Sequence, residues 1–252
     1  MKKSILVFCC LLFVGTAFAQ IAYLQYRHVP AENESKFLER ETKQWSKVAK
    51  AAIAKGQMTG WTLWKKVGVL SNKDESPNYV FVNSYANIEQ LDGNPWGDNM
   101  GALGDVKPED IETNSLSSVT FDYYVQSEAF VAGDYKYALV NYAKPKDRGA
   151  FIQENIDLWK PFHETNIKNG GGMTYWGMSS IIYPGGNQDR FSVFTVDGFN
   201  KLSDVMGTLS YQAPDPTAPG PWTDVLSKSN MNEILPDGFE YRILYERVMT
   251  VK

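Results

Sequence analysis

The sequence predicts an α+β protein built from two related halves, each with the element order β-α-β-β-α-β. Two observations carry this prediction. Several residue types recur at a constant offset of 114 positions, and within each half the hydrophobic spacing alternates between the period of a strand and that of a helix. The chain of 252 residues is long enough for two domains, each with its own core.

The first nineteen residues have the composition of a secretory signal peptide. Lys2 and Lys3 precede an apolar run, and Ala17-Phe18-Ala19 forms a cleavage motif before Gln20. The apolar run is too short to span a bilayer stably. We therefore expect a leader at 1–19, a periplasmic or secreted protein, and no membrane association after cleavage.

The composition excludes several classes of function. Both cysteines, Cys9 and Cys10, lie inside the leader, so the rest of the chain has no thiol for a disulfide, a nucleophile or a metal site. Without Lys2 and Lys3 the chain has 23 basic and 29 acidic side chains and no basic stripe, which argues against a nucleic-acid partner. The sequence also contains no Gly-rich phosphate loop, no Gly-x-Ser-x-Gly and no His-Glu-x-x-His motif.

The repeat divides the chain into a first half, residues 20–130, and a second half, residues 131–252. The pairs matched at the offset of 114 are Tyr23 with Tyr137, Phe37 with Phe151, Trp45 with Trp159, Ile53 with Ile167 and Gly56 with Gly170. Trp61 meets Trp176 one residue later, and Pro95-Trp96 resembles Pro221-Trp222 at an offset of 126. Matches held in the same order predict a duplication.

Each half begins with a predicted strand and an amphipathic helix. The first strands are Tyr23 to His28 and Tyr137 to Tyr142, and the helices cover 37–53 and 151–167. Gly56 is placed to end the first helix as a C′ glycine. Two further strands then form a hairpin, followed by a short helix and a last strand. The hairpin strands are Thr59 to Val67 and Tyr79 to Tyr85, joined by Ser71 to Asn78, and Met173 to Tyr183 and Arg190 to Val196, joined by Pro184 to Asn187. The short helices are Ile88 to Leu91 and Asn200 to Met206, and the last strands are Ser118 to Val125 and Tyr241 to Val251.

This order is that of the ferredoxin-like unit, an antiparallel sheet with both helices on one face. The other face would be exposed, and these strands are too rich in aromatic residues to leave it in water. We therefore predict two tandem ferredoxin-like domains that pack sheet to sheet as an intramolecular α/β barrel. The molecule is expected to be a monomer with pseudo-twofold symmetry or a weak homo-oligomer.

The segment DLWKPFHETNIKNGGGMTYWGM, a tryptophan helix closed by glycine and followed by a tryptophan strand, resembles the dimeric α/β-barrel superfamily. That superfamily includes the NIPSNAP, EthD and antibiotic-biosynthesis-monooxygenase groups. The resemblance implies the fold over nearly all of the chain after the leader. Members of the superfamily include haem-handling enzymes, cofactor-free oxygenases, isomerases and proteins without a known reaction. The fold alone does not decide among these functions.

His163 is the principal candidate for a functional residue. It lies on the predicted inner stripe of the second helix, where the first half has Ala49, and it is either a general base, a haem ligand or a structural histidine. Asn155 and Asn166 share the stripe and are candidates for polarising a substrate. The predicted ligand-binding residues are Asn141, Trp159, Tyr175, Trp176 and Trp222 in the second half, and Glu41 and Trp45 in the first.

Other polar residues leave alternatives open. Glu41 is either a carboxyl with a raised pKa beside an aromatic wall or a solvated residue paired with a cation. Arg27 is either an anion-binding group or an ordinary surface arginine. His28 is expected at the surface, and neither histidine has a partner at metal-ligand spacing apart from Glu164, which points elsewhere. We expect no metal site.

These residues favour one function and leave two others open. We expect a pocket in each half and a single functional site in the second, which binds a small apolar or aromatic molecule without a cofactor. The alternative is a cofactor-independent monooxygenase or isomerase with His163 as base, with haem binding or haem degradation, and His163 as ligand, as a lesser branch. A structural or partner-binding role through the loops is the third class.

Overall fold

The computed structural model describes residues 20–68, 76–210 and 220–252. The predicted leader and part of the predicted connection Ser71 to Asn78 lie outside these residues. Within them, eight antiparallel strands form a closed barrel. The strands are β1 Ile21–His28, β2 Gly60–Lys66, β3 Tyr79–Tyr85, β4 Ser118–Val131, β5 Tyr137–Ala143, β6 Met173–Tyr183, β7 Val193–Phe199 and β8 Tyr241–Val251.

The strand order is the same in the two halves. It is β4-β1-β3-β2 in the first half and β8-β5-β7-β6 in the second, the order of a ferredoxin-like sheet in each case. The halves are joined edge to edge, because β2 pairs with β8 and β4 pairs with β6. The predicted barrel is therefore closed by backbone hydrogen bonds as well as by side chains, and it leaves no strand edge free.

One strand is longer than predicted. The sequence predicts a last strand of the first half that ends at Val125, but β4 continues to Val131. The additional residues pair with β6, so that Val131 lies opposite Trp176. The partner of this extension belongs to the other half, and the hydrophobic pattern of β4 alone could not reveal it.

Helices lie outside the barrel over each half. In the first half the helical segments are Glu34–Arg40, Glu41–Trp45, Ser46–Ala54, Ile88–Asp92, Gly97–Leu103 and Pro108–Ile111. In the second half they are Arg148–Glu154, Asn155–Trp159, Lys160–Lys168, Leu202–Leu209, Pro221–Leu226 and Met231–Ile234. No helix among the described residues is long and apolar enough to cross a membrane.

The long helix of each half contains a π-helical turn at an equivalent position. These turns are Glu41–Trp45 and Asn155–Trp159, which are 114 residues apart. We call the continuous helices 34–54 and 148–168 the first and second long helices. Each is followed by a glycine with positive φ, Gly56 at 70° and Gly170 at 76°, as the C′ position requires. A π turn inserts one residue per turn and often marks a functional position.

The barrel separates an interior core from the outer cores, one large cluster over each half and a smaller one around Val48 in the first half. Leu24, Tyr26, Val140 and Phe194 belong to the interior core. Phe37 packs between the first long helix and the sheet, and Phe151 does so in the second half. Because successive side chains of a strand point to opposite faces, each strand contributes residues to the interior core and to an outer core.

An aromatic stack crosses one end of the barrel. Tyr135, in the connection from β4 to β5, has its ring 5.4 Å from that of Trp64 and 4.4 Å from that of Tyr175. The rings are nearly parallel, at 16° and 24°. Since Trp64 belongs to the first half and Tyr175 to the second, Tyr135 joins the two halves inside the barrel.

We expect Tyr135→Ala to destabilise the fold by about 2 kcal/mol, because it removes a partly buried ring and leaves a cavity between two others. Urea denaturation followed by circular dichroism measures the change. The matched control is Phe130→Ala on β4, whose ring is 51% exposed and which should cost less than about 1 kcal/mol. Equal losses in the two variants would show that the stack does not join the halves.

Candidate functional site

A cavity of about 520 Å³ lies between the outer face of the first-half sheet and the first long helix. Its floor includes Arg27 on β1 and Trp61 on β2, its roof includes Glu41, and Trp96 lies at its side. This volume is within the range of small-molecule sites in proteins. The predicted pocket of the first half, between helix, sheet and Pro-Trp segment, is therefore present, and we call it the first-half cavity.

Glu41 is a buried carboxyl in the wall of this cavity. It begins the π turn of the first long helix and is 4% exposed. The Thr113 hydroxyl donates a hydrogen bond of 2.7 Å to its Oε1 atom. Burial raises the pKa of the Glu41 carboxyl to about 7, and neither the Thr113 bond nor the Arg27 charge is enough to offset it. The alternative of a solvated Glu41 paired with a cation is wrong.

Arg27 supplies positive charge to the same cavity. Its guanidinium donates to neutral acceptors: Gln25 Oε1 at 2.6 Å, Ser117 Oγ at 3.0 Å and Asn114 Oδ1 at 3.2 Å. The guanidinium also lies 5.5 Å from the centroid of Phe81. Within the described residues Arg27 forms no ion pair, although its charge acts on Glu41. The Arg27 guanidinium is therefore fixed in position by hydrogen bonds. While Glu41 is protonated, no ion pair neutralises its positive charge among the described residues.

Aromatic rings form much of the remaining wall of the first-half cavity, and the carboxylates Glu109 and Glu112 also line it. Trp96 contacts Trp45 and Trp61 edge to face, at centroid distances of 6.1 and 5.6 Å. Trp61 stacks on Phe81 at 5.6 Å. The indole nitrogen of Trp45 donates to the carbonyl of Ile111 at 2.9 Å, so its polar edge is already satisfied. These aromatic walls can thus pack against a flat apolar ring of a ligand, and the Trp45 indole N–H does not have to form a hydrogen bond with that ligand.

His163 lies in an aromatic cluster of the second half. Its imidazole stacks on Trp176 at 5.3 Å and 16°, and it also contacts Trp159 and Phe162. Its Nδ1 atom is buried and has no hydrogen-bond partner among the residues that the structure describes. Burial lowers the pKa of His163 to about 4, so the ring is neutral at pH 7. The expectation of a hydrogen-bonded structural histidine is therefore not met at the Nδ1 atom.

The two asparagines predicted to act with His163 do not reach it. Asn155 is buried in the second π turn and donates from Nδ2 to the carbonyl of Phe151 at 2.9 Å. Asn166 lies one turn beyond His163, with its side chain against Gly171. Within the described residues no hydrogen bond joins His163 to either of them. The combined action of His163, Asn155 and Asn166 on one substrate stays a prediction, and the Asn155 amide is already hydrogen-bonded to its own helix.

A haem group does not fit His163. A histidine that ligates a metal normally donates its other ring nitrogen to an acceptor, and Nδ1 has none. Trp176 covers one side of the imidazole, and Trp159 and Phe162 pack around it.

Within the described part of the chain, no group of three or more acidic, histidine or cysteine residues could hold a metal ion.

Tyr175 and Trp176 were both predicted to bind ligand in one pocket, but they lie on opposite sides of the sheet. Trp176 packs in the outer core under His163, whereas Tyr175 stacks on Tyr135 inside the barrel. Neighbouring strand residues point to opposite faces, so the two rings cannot share a pocket. Trp222 contacts Trp159 at 5.8 Å and is 56% exposed, so it lies at the edge of the His163 cluster.

Sequence reasoning found Asn141 but not its partners. Asn141 donates to Thr195 at 3.0 Å and to Asp197 at 2.9 Å, and Arg242 donates to Asn141 Oδ1 at 2.7 Å. Burial raises the pKa of Asp197 to about 6. These hydrogen bonds use the polar groups of the Asn141 side chain on the second-half sheet. Polar residues in the middle of predicted buried strands were the signal that could have indicated it.

Thr113 and Asn83 were also missed in the first half. Asn83 is buried on β3, lines the first-half cavity and donates to the carbonyl of Tyr23 at 3.1 Å. It occupies the position of Asp197 at the same offset of 114. Thr113 lies in a connection that has no repeated pattern, and nothing in the sequence points to it.

No family model and no curated protein matches the chain. Several solved structures resemble it. A protein from Lactobacillus acidophilus NCFM named as a "putative monooxygenase" has a TM-score of 0.55 at 8% identity, over 93% of this chain and 96% of its own. An anthrone oxidase-like protein has a TM-score of 0.53 at 14% identity, over 92% of each chain. A mutant chlorite dismutase from Candidatus Nitrospira defluvii has a TM-score of 0.50 at 8% identity, over 91% of each chain.

At these identities the similarity shows the fold and not the reaction. The strand order and the eight-stranded closure agree with it. The chain therefore has the α+β fold of the dimeric α/β barrels, with all eight strands of the barrel supplied by one polypeptide.

Proposed function

We propose that the first-half cavity binds a small aromatic hydroxy or keto compound and that Glu41 accepts a proton from it. One observation carries this proposal: a buried carboxyl whose pKa is raised to about 7 forms part of the wall of an aromatic cavity. A general base is most effective when its pKa is near the working pH. The reaction class is proton abstraction next to a carbonyl or from a phenol.

The charge balance of the step supports this role. When Glu41 takes a proton, it becomes neutral and the ligand acquires a negative charge on its oxygen. Arg27 forms no ion pair within the described residues and can stabilise the resulting enolate or phenolate. The positive charge is thus already in place before the anion forms, so little reorganisation is required.

His163 is a weaker candidate for the base. A group with a pKa of about 4 is unprotonated at pH 7 but holds an abstracted proton poorly. Its Nδ1 atom is buried against aromatic rings, away from the first-half cavity. The expectation of a single site in the second half stays a prediction, and our proposal places the site in the first.

We infer that the two halves are tandem ferredoxin-like domains that arose by duplication, since their strand orders and π turns correspond. We also infer a periplasmic or secreted monomer or weak oligomer, on the strength of the leader motif and of a barrel without free edges. The resemblance to the NIPSNAP, EthD and antibiotic-biosynthesis-monooxygenase groups likewise stays a proposal.

The proposed step predicts hydrogen exchange in 2-tetralone, an aromatic ketone with acidic hydrogens next to its carbonyl. In D₂O the protein should accelerate replacement of these hydrogens by deuterium, followed by proton NMR. Glu41→Gln should reduce the protein-catalysed rate by about a hundredfold or more, because it removes the base. The matched control is Glu39→Gln on the exposed face of the same helix. A bound tetralone without exchange would limit the function to binding, and equal rates in Glu41→Gln and the native protein would exclude Glu41.

The exchange rate should also depend on pH through Glu41. The base is ionised above its pKa of about 7, so the rate should rise through that region. Arg27→Met should move the midpoint to higher pH, because the Arg27 charge lowers the pKa of Glu41. Arg27→Lys, which keeps the charge, should restore much of the native profile. An unchanged midpoint in Arg27→Met would show that Arg27 does not act on the base.

The buried His163 predicts a different pH effect, on stability. Its folded pKa of about 4 is below the usual value of 6.5, so the unfolded chain binds the proton more readily. Stability should therefore fall as the pH decreases from about 6.5 to about 4. The difference in unfolding free energy between the native protein and His163→Phe isolates this contribution. A difference that does not change with pH would mean that the imidazole is protonated as easily in the folded state as in the unfolded.

A further inference from the structure

A second cavity, of about 390 Å³, lies inside the barrel. The sheet separates it from the first-half cavity. On β1, Leu24 and Tyr26 line the interior cavity, whereas Gln25 and Arg27 line the first-half cavity. A molecule in one cavity therefore contacts a different set of side chains from a molecule in the other, and the proposed function does not use the interior cavity.

Most of the interior wall is apolar. Val80, Val82, Val140, Phe194 and Val196 face it from three strands of the two halves. Such a wall favours a hydrocarbon body, since transferring apolar surface from water stabilises a complex by about 25 cal/mol per Å². A cavity with this lining and volume is large enough for a small organic ligand.

Three tyrosine hydroxyls meet at one place on the interior wall, which also includes polar side chains such as Thr62, Ser84 and Arg247. The hydroxyl of Tyr26 lies 2.9 Å from that of Tyr142, which lies 3.4 Å from that of Tyr245. Three hydroxyls carry three hydrogens, but two contacts use only two of them. Among the described residues these hydroxyls make no other hydrogen bond, so one hydrogen is left to donate. This unused donor is the feature that selects a ligand.

The charges near the cavity argue against a carboxylate in that position. Two cations line the cavity, Arg247, which is two residues from Tyr245 on β8, and Lys252 at the end of that strand; Asp134 holds Arg247 through contacts of 2.7 and 3.2 Å. Among the described residues no cation is hydrogen-bonded to the three tyrosine hydroxyls, and a buried carboxylate without a cation is strongly destabilised. A neutral acceptor oxygen meets the spare hydroxyl hydrogen without that cost.

We propose that the barrel interior is a second ligand site, for a neutral and largely hydrocarbon molecule whose carbonyl oxygen accepts a hydrogen bond from the Tyr26, Tyr142 and Tyr245 hydroxyls. Its hydrocarbon body lies along the valine and phenylalanine wall. The ligand class is a ketone, aldehyde or ester with an aliphatic chain, and it differs from the aromatic compound proposed for the first-half cavity.

The test uses 2-undecanone as the probe, with the affinity measured by isothermal titration calorimetry on the full protein. The variant that replaces Tyr26, Tyr142 and Tyr245 together with phenylalanine keeps all three rings and removes every donor. We expect it to bind 2-undecanone about tenfold more weakly, the size of one lost hydrogen bond. Replacing fewer tyrosines is not sufficient, because any remaining hydroxyl still has a hydrogen to donate.

Two controls locate the probe. Ala138→Leu adds bulk to the interior wall and should abolish binding, whereas Trp96→Ala alters only the first-half cavity and should leave the affinity unchanged. Circular dichroism tests whether each variant is folded. If the triple variant is not folded, Ala138→Leu alone decides where 2-undecanone binds. Undecanoate should bind more weakly than the ketone.

Four results would overturn the proposal. They are no binding of 2-undecanone, equal binding by a folded triple variant, tight binding of undecanoate, and a loss of affinity in Trp96→Ala that exceeds the loss in Ala138→Leu. Each of these outcomes leaves the exchange of 2-tetralone unaffected, so the two sites are tested separately.

Discussion

Closure of the barrel is the constraint on which the rest of the structure depends. Once β2 pairs with β8 and β4 with β6, every strand has two neighbours and each side chain points either into the barrel or toward a helix. This division places Tyr175 and Trp176, adjacent in sequence, in different cores. It also creates two separate cavities from one sheet, because the alternate residues of β1 line one or the other.

The long helices add a second constraint through their π turns. Each turn holds a polar residue, Glu41 or Asn155, against the sheet with almost no exposure. A neutral amide at this position is satisfied by its own helix, since Asn155 bonds the carbonyl of Phe151. A carboxyl cannot donate such a bond when ionised, and burial instead raises its pKa into the neutral range. The same backbone therefore produces an inert residue in one half and a titratable one in the other.

The sequence predicted the fold well because its signals are local. The strand and helix periods, the C′ glycine Gly56 and the offset of 114 each require only neighbouring residues or a direct comparison of the halves. The extension of β4 and the partners of Asn141 depend on contacts between distant strands, and the pattern of one strand contains no information on them. Among the site residues, Glu41 and Trp45 line the cavity that the sequence predicts between helix and sheet, and their role in ligand binding stays a prediction. His163 was placed in the right helix, but its isolation from Asn155 and Asn166 follows from side-chain packing that periodicity does not describe.

The two halves differ in what covers the tryptophan on their second strand. In the first half Trp96 meets Trp61 only at its edge, at 74°, and open space remains beside Glu41 and Arg27. In the second half the imidazole of His163 lies flat on Trp176, where the smaller Ala49 occupies the equivalent helix position in the first half. The larger side chain takes up space on the helix-facing side of the sheet, and the corresponding Trp222 contacts Trp159 and Phe162 and is 56% exposed. His163 therefore contributes ring packing on the second-half sheet, whereas the first-half cavity beside Trp61 stays open, and this is the space in which we propose that Glu41 acts.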